Sequence, residues 1–182
     1  MKVLKWVLIS VVAISILLFA AFQYMVYNTK KMSPEGTVTY VQSDYDVSVF
    51  YNRPSVRERT IFGDLVPYGA VWRTGANEPT TFTTTSELEI QGKKLPAGKY
   101  SLFTVPGVEE WDIIFNSKEY GWGVGMDGKV SHEADFDVLV ATVPTEKIST
   151  IVEQFTISLV NTNDAFEMQL AWENDLVRLP IK

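Results

Sequence analysis

Two patterns of apolar and polar residues divide this chain. From Trp6 to Tyr27 it runs WVLISVVAISILLFAAFQYMVY, 22 residues without a charge. At a rise of about 1.5 Å per helical residue, that length crosses a hydrocarbon core of about 30 Å. Lys2 and Lys5 precede the run, and Lys30 and Lys31 follow it. The pattern predicts one N-terminal transmembrane helix, with residues 1–31 serving as a signal-anchor. A cleaved signal peptide is the rival reading, and a helix buried in a soluble domain is a third. Signal peptides have apolar regions of about 7 to 15 residues ending in a small-x-small site. Here Ala20 and Ala21 lead into Phe22, Gln23 and Tyr24, with no A-x-A-like triplet. Trp6, Tyr24 and Tyr27 lie where interfacial aromatics collect. A short lysine-bearing head before a large acidic domain favours an inside N-terminus, which places the domain on the periplasmic, extracytoplasmic side.

After the linker Met32 to Gly36, the period changes to two. Residues 32–45 are expected to be the linker and a first strand over Thr37 to Val41, and residues 46–182 the domain proper. In Asp46 to Tyr51, Val47, Val49 and Tyr51 share one face. Further strands are expected at Thr80 to Thr85, Leu88 to Gln91, Lys99 to Val105, Trp111 to Asn116 and Phe136 to Val143. Pro144 introduces a short helical turn over Thr145 to Ile151. Phe155, Ile157 and Leu159 alternate with polar or smaller neighbours, as do Phe166, Met168, Leu170 and Trp172. The segment from Asn161 to Asp164 is expected to turn the hairpin between these two runs. A last strand covers Asp175 to Ile181, with Pro180 favouring an edge. Turns are expected at Gln91 to Lys94 and at Pro96 to Gly98, and Gly121, Gly123, Gly125 and Gly128 mark a mobile or tightly turning region. Many short strands and no long helix after residue 33 predict an all-β domain, an antiparallel β-sandwich or jelly roll.

Charge and composition narrow the function. All 22 acidic residues follow residue 34, where only twelve of the 16 basic residues lie, so the domain carries a formal charge of −10. An acidic domain does not suit nucleic acid, whose binding requires a basic face. Cysteine is absent. That removes disulfides, thiolate metal sites and a cysteine nucleophile.

Four of the five arginines (Arg53, Arg57, Arg59 and Arg73) fall between Tyr51 and Glu78, beside Tyr68, Trp72 and a Thr74-Gly75-Ala76-Asn77-Glu78 turn. Arginine suits bidentate recognition of carboxylate or phosphate, and aromatic rings stack on guanidinium groups or sugars. The candidate ligand-binding residues are therefore Arg53, Arg57, Tyr68, Trp72, Arg73, Thr74, Asn77 and Glu78. The competing reading is internal pairing of these arginines with Glu58, Asp64 and Glu78. Glu78 could also serve as one carboxylate of a hydrolytic pair whose partner the sequence does not name. The one histidine, His132, precedes Glu133, Asp135 and Asp137. A lone imidazole without ligand spacing is weak grounds for a metal site, and no metal or other cofactor is expected. No nucleophile elbow or phosphate loop occurs.

The segments YNRPSVR (51–57), IFG (61–63), LVPYG (65–69), VWRTGANE (71–78), LPAGKYSLF (95–103) and WDIIFN (111–116) resemble domain of unknown function family 2911. The resemblance runs from about Val47 to the C-terminus. It implies a β-rich secreted or envelope protein of Bacteroidetes-type bacteria, and names no activity or catalytic residue. Members commonly begin with an ordinary signal peptide, so the long apolar N-terminus here is a departure. The reading that joins these observations is a membrane-anchored domain that binds a small ligand or a protein partner through residues 51–78. A hydrolase using Glu78 and a purely structural envelope protein are the alternatives.

Overall fold

The computed structural model describes residues 2–42, 45–163 and 166–182. They form two compact units, Met1–Met32 and Ser33–Lys182. The first is helix α1 (Lys2–Met32), long and apolar enough to cross a membrane and equally suited to a signal sequence. It runs past the uncharged stretch to include Lys30 and Lys31, where cations complement the C-terminal end of the helix dipole. It stops before Ser33-Pro34, because proline disfavours helical geometry in the residue preceding it.

The second unit is built on strands that all pair antiparallel. Its strands are β1 (Glu35–Gln42), β2 (Tyr45–Asn52), β3 (Thr80–Thr84), β4 (Leu88–Ile90), β5 (Lys93–Leu95), β6 (Gly98–Val105), β7 (Glu110–Asn116), β8 (Asp137–Asn161) and β9 (Phe166–Ile181). Seven of them form one sheet in the order β1-β2-β3-β6-β7-β8-β9, and β4-β5 is a separate hairpin. The sheet curls on itself. The chain just after β2 meets the middle of β8, where Ser55 bridges Gln154 and Val56 N–H donates to Glu153 O at 2.7 Å. Across the same closure Tyr40 stacks on Phe166, with ring centroids 4.4 Å apart. The interior takes the face that the alternation predicts: Val47, Val49 and Tyr51 from β2, Trp111, Ile113 and Phe115 from β7, and Phe166, Met168, Leu170 and Trp172 from β9. Pro180 lies in β9, the last strand of the sheet, as its missing N–H requires.

Three expectations need correction. Thr145 to Ile151 is extended, not helical, so the strands expected on either side merge into β8. Pro144 sits opposite Glu110 at the end of the β7 ladder, where no further donor is needed, and Thr145 then pairs with Val177 of β9. Register shifts between Lys147 and Thr156 take up the bend, opposite Glu173 at φ 54°. The segments from Phe166 and from Asp175 likewise merge into β9. Lys93 and Lys94, expected in a turn, begin β5; the turn is the two-residue Gln91-Gly92, at φ 51° and 75°. The expected turn from Asn161 to Asp164 ends outside the described residues, although β8 and β9 pair as far as Asn161 and Phe166.

Candidate functional site

The structure divides the arginine-rich stretch into two parts with different surroundings. Its first part caps the core where the chain leaving β2 meets β8. Ile61, Phe62 and Val66 are buried there. The half-buried Arg53 sends Nε to Phe155 O and Nη2 to Thr156 Oγ1, both at 3.4 Å. Arg59 donates to Val56 O and Ser55 O, at 2.9 and 2.6 Å. These arginines therefore hold backbone carbonyls and a hydroxyl rather than carboxylates. Arg57 is exposed, in the left-handed region at φ 49°, and its N–H donates to Glu153 Oε1. Tyr68 is exposed, with its ring over Gly63.

Trp72 to Glu78 forms the second part. Trp72 belongs to the core, its ring 5.1 to 6.3 Å from those of Phe62, Trp111, Phe155 and Trp172. Its Nε1 donates to Gly75 O at 3.1 Å, which closes the following turn. Thr74 is fully buried at φ 56°, an uncommon conformation for a β-branched residue. Three hydrogen bonds hold it there: its hydroxyl contacts Trp72 O and Thr104 Oγ1, and its carbonyl accepts from Thr80 Oγ1. Gly75, at φ 146°, lies so close to β2 that a Cβ would come within 2.7 Å of Asn52 O. The buried Asn77, at φ 57°, donates to Asn52 Oδ1, and Asn52 donates to Glu78 Oε2, each at 3.2 Å. A local backbone held in sparsely populated conformations by a surrounding network is typical of ligand sites.

Arg73 lies between the Trp72 bridge and this turn. Trp72 and Thr104 exchange both backbone hydrogen bonds, at 2.7 and 3.0 Å, so the register sets Arg73 beside Phe103 on the face opposite Trp72. The loop after β7 crosses the arginine stem at Gly123. Gly123 N–H donates to Asn77 O at 2.9 Å, and a Cβ there would lie 2.6 Å from that oxygen and closer still to Arg73 Cδ. Four buried side-chain polar atoms among the described residues have no hydrogen-bond partner. Two are indole N–H groups in the core, and one is Asp175 Oδ2, whose sister oxygen is taken by Lys147. The fourth is Arg73 Nε. Burial pushes the Arg73 guanidinium below the usual arginine range, with no carboxylate to counter it.

The same loop brings in residues that spacing alone did not group. His132 lies over Phe103, with ring centroids 4.9 Å apart, and Tyr120 is 5.7 Å from the same ring. His132 Nε2 faces Asp137 at 2.9 and 3.2 Å, and Asn116 Nδ2 donates to Asp137 Oδ1 at 2.7 Å. A register irregularity at Phe115/Asn116 directs these two residues toward each other at the start of β8. Tyr120 accepts from Glu133 N–H, and burial raises its phenol above the ordinary range. Of the three carboxylates near His132 in sequence, only Asp137 meets the ring, and Glu133 pairs with Lys118. Among the described residues no three His, Asp or Glu side chains are placed to hold a metal ion. The tertiary signal missing from the sequence is the fold of residues 117–136 back over β6 and β7, which joins His132 to the Arg73 turn.

The chain matches no curated protein and no solved structure. A family model described as a protein of unknown function (DUF2911) matches residues 33–181, the whole β unit together with its entry. The chain belongs to that family.

Proposed function

We propose that this protein is a membrane-tethered, extracytoplasmic binding module for a small anionic ligand, with Arg73 as its anchoring group. One observation carries this reading: a buried, unpartnered guanidinium Nε in a domain with a large excess of carboxylates. A guanidinium left without an acceptor loses stability, because a buried donor without a partner costs about 1–3 kcal/mol. A bound carboxylate or phosphate would restore it through charge-assisted bonds in a fork geometry. The rigid turn from Thr74 to Glu78, braced through Asn52, supports such an arginine by fixing its backbone. The apolar α1 supplies the tether, and the acidic surface suits a soluble domain held at a membrane.

The test is a melting experiment on the full chain in detergent with sulfate, phosphate and acetate, repeated on Arg73→Met. Ligand at a hundred times its Kd raises stability by about 2.7 kcal/mol. A rise in the parent that is absent from the variant supports the reading. An equal response in both proteins, or none in either, overturns it and leaves the turn with an architectural role.

A further inference from the structure

The register that pairs Trp72 with Thr104 sets Arg73 opposite Phe103, whose ring packs edge-on against His132, and Gly123 joins the two sides. Gly123 N–H bonds Asn77 O, and Gly123 O accepts from Ser131 N–H at 3.0 Å, one residue before His132. The imidazole is oriented from behind. A carboxylate only accepts, so Nε2 beside Asp137 carries the proton, and in the neutral ring Nδ1 holds the lone pair. No described group bonds Nδ1, and that atom is not among the sealed polar atoms of the fold. With 13% of its side chain exposed, His132 is fixed yet reachable.

We propose that His132 is the second arm of the Arg73 site and that the ligand is a tetrahedral dianion, such as the end of a phosphate monoester. This rests on the anion-binding reading above. Protonated at Nδ1, the imidazolium becomes a second donor, its charge balanced from behind by Asp137, and joins the guanidinium in binding a doubly charged oxyanion. Binding is then accompanied by uptake of one proton at Nδ1. The charged and titratable groups around the ring are Asp137 at Nε2, Tyr120 packed on Phe103, the adjacent Glu133 with its partner Lys118, and Arg73 across Phe103. Asp137 is held in position by Asn116 Nδ2, which donates to its Oδ1.

Inorganic sulfate is the probe, because its own charge is constant over the histidine range. Its affinity for the full chain in detergent is measured from pH 5.5 to 8. The expected result is at least a tenfold loss of affinity as pH rises through that range, with acetate changing far less. In His132→Gln the residual affinity should become independent of pH. His132 is the only histidine in the chain, so its ring nitrogens give one unambiguous NMR signal set. Sulfate should move the His132 titration upward in the parent and leave it unmoved in Arg73→Met. Sulfate that binds the parent with one affinity at every pH, or without moving the histidine titration, overturns this inference and leaves Arg73 as a single-armed anion site. Absence of sulfate binding at every pH overturns this inference, and only a further absence of phosphate and acetate binding overturns the anion-binding reading on which it rests.

Discussion

Replacing Arg73 with methionine separates a ligand-binding arginine from a structural one. Methionine retains the unbranched stem that Gly123 covers, and its terminal methyl falls where Nε now lies buried without an acceptor. Removing that N–H relieves about 1–3 kcal/mol of unmet desolvation. Some of the gain is offset, because the guanidinium tip also leaves the surface of the loop. The expected net is a ligand-free domain more stable by about 1 kcal/mol, or about 2–4 °C in Tm for a domain of this size. Arg59→Met is the internal control: it loses two hydrogen bonds to Ser55 O and Val56 O, and should melt lower by a similar amount. Both are measured by thermal and urea unfolding in buffer free of sulfate and phosphate. A loss of more than about 1 kcal/mol in Arg73→Met would refute the reasoning, since the guanidinium would then be stabilising the fold itself.

Trp72→Ala should cost about 3–5 kcal/mol in urea unfolding, because the indole fills the space among four buried aromatic rings; a cost under 1 kcal/mol would mean that those rings close the gap. Gly123→Ala should lower the Tm and weaken sulfate binding together, as its methyl displaces either Asn77 or Arg73; unchanged binding would show that the loop shifts without the arginine. Lys147→Met leaves Asp175 buried with neither oxygen paired, and should cost about 2 kcal/mol, less than a fully enclosed pair because the lysine stem is partly exposed. Burial opposes the Lys147 charge, but its hydrogen bond and attraction to Asp175 outweigh that and raise the ammonium above its usual range. The folded value is raised, so this contribution is complete below about pH 10.4 and declines as pH rises through the folded value. A stability difference between the parent and Lys147→Met that does not shrink between neutral and high pH would contradict that sign.

The pattern along the chain was enough for the apolar helix, the antiparallel class and the inward sets of β2, β7 and the first half of β9, because a period of two assigns side chains to faces without knowledge of partners. The residue types marked Trp72 to Glu78 as a candidate site as well, though they gave no sign of the different surroundings of the residues within it. Trp72 and Thr74 are buried because Thr104 of β6 pairs with Trp72, and no local signal encodes a partner 32 residues away. The helical turn expected after Pro144 failed for the same kind of reason. Local propensity there yields to a ladder that passes from β7 to β9 within one strand. Asn52 gave no sign of its role, and His132 stood as a lone imidazole without ligand spacing. Their meaning depends on the curl of the sheet and on the return of residues 117–136 across it. Burial, register and the partnering of each polar atom are long-range properties, so tertiary structure alone decided that Arg59 holds the backbone while the buried Nε of Arg73 holds nothing.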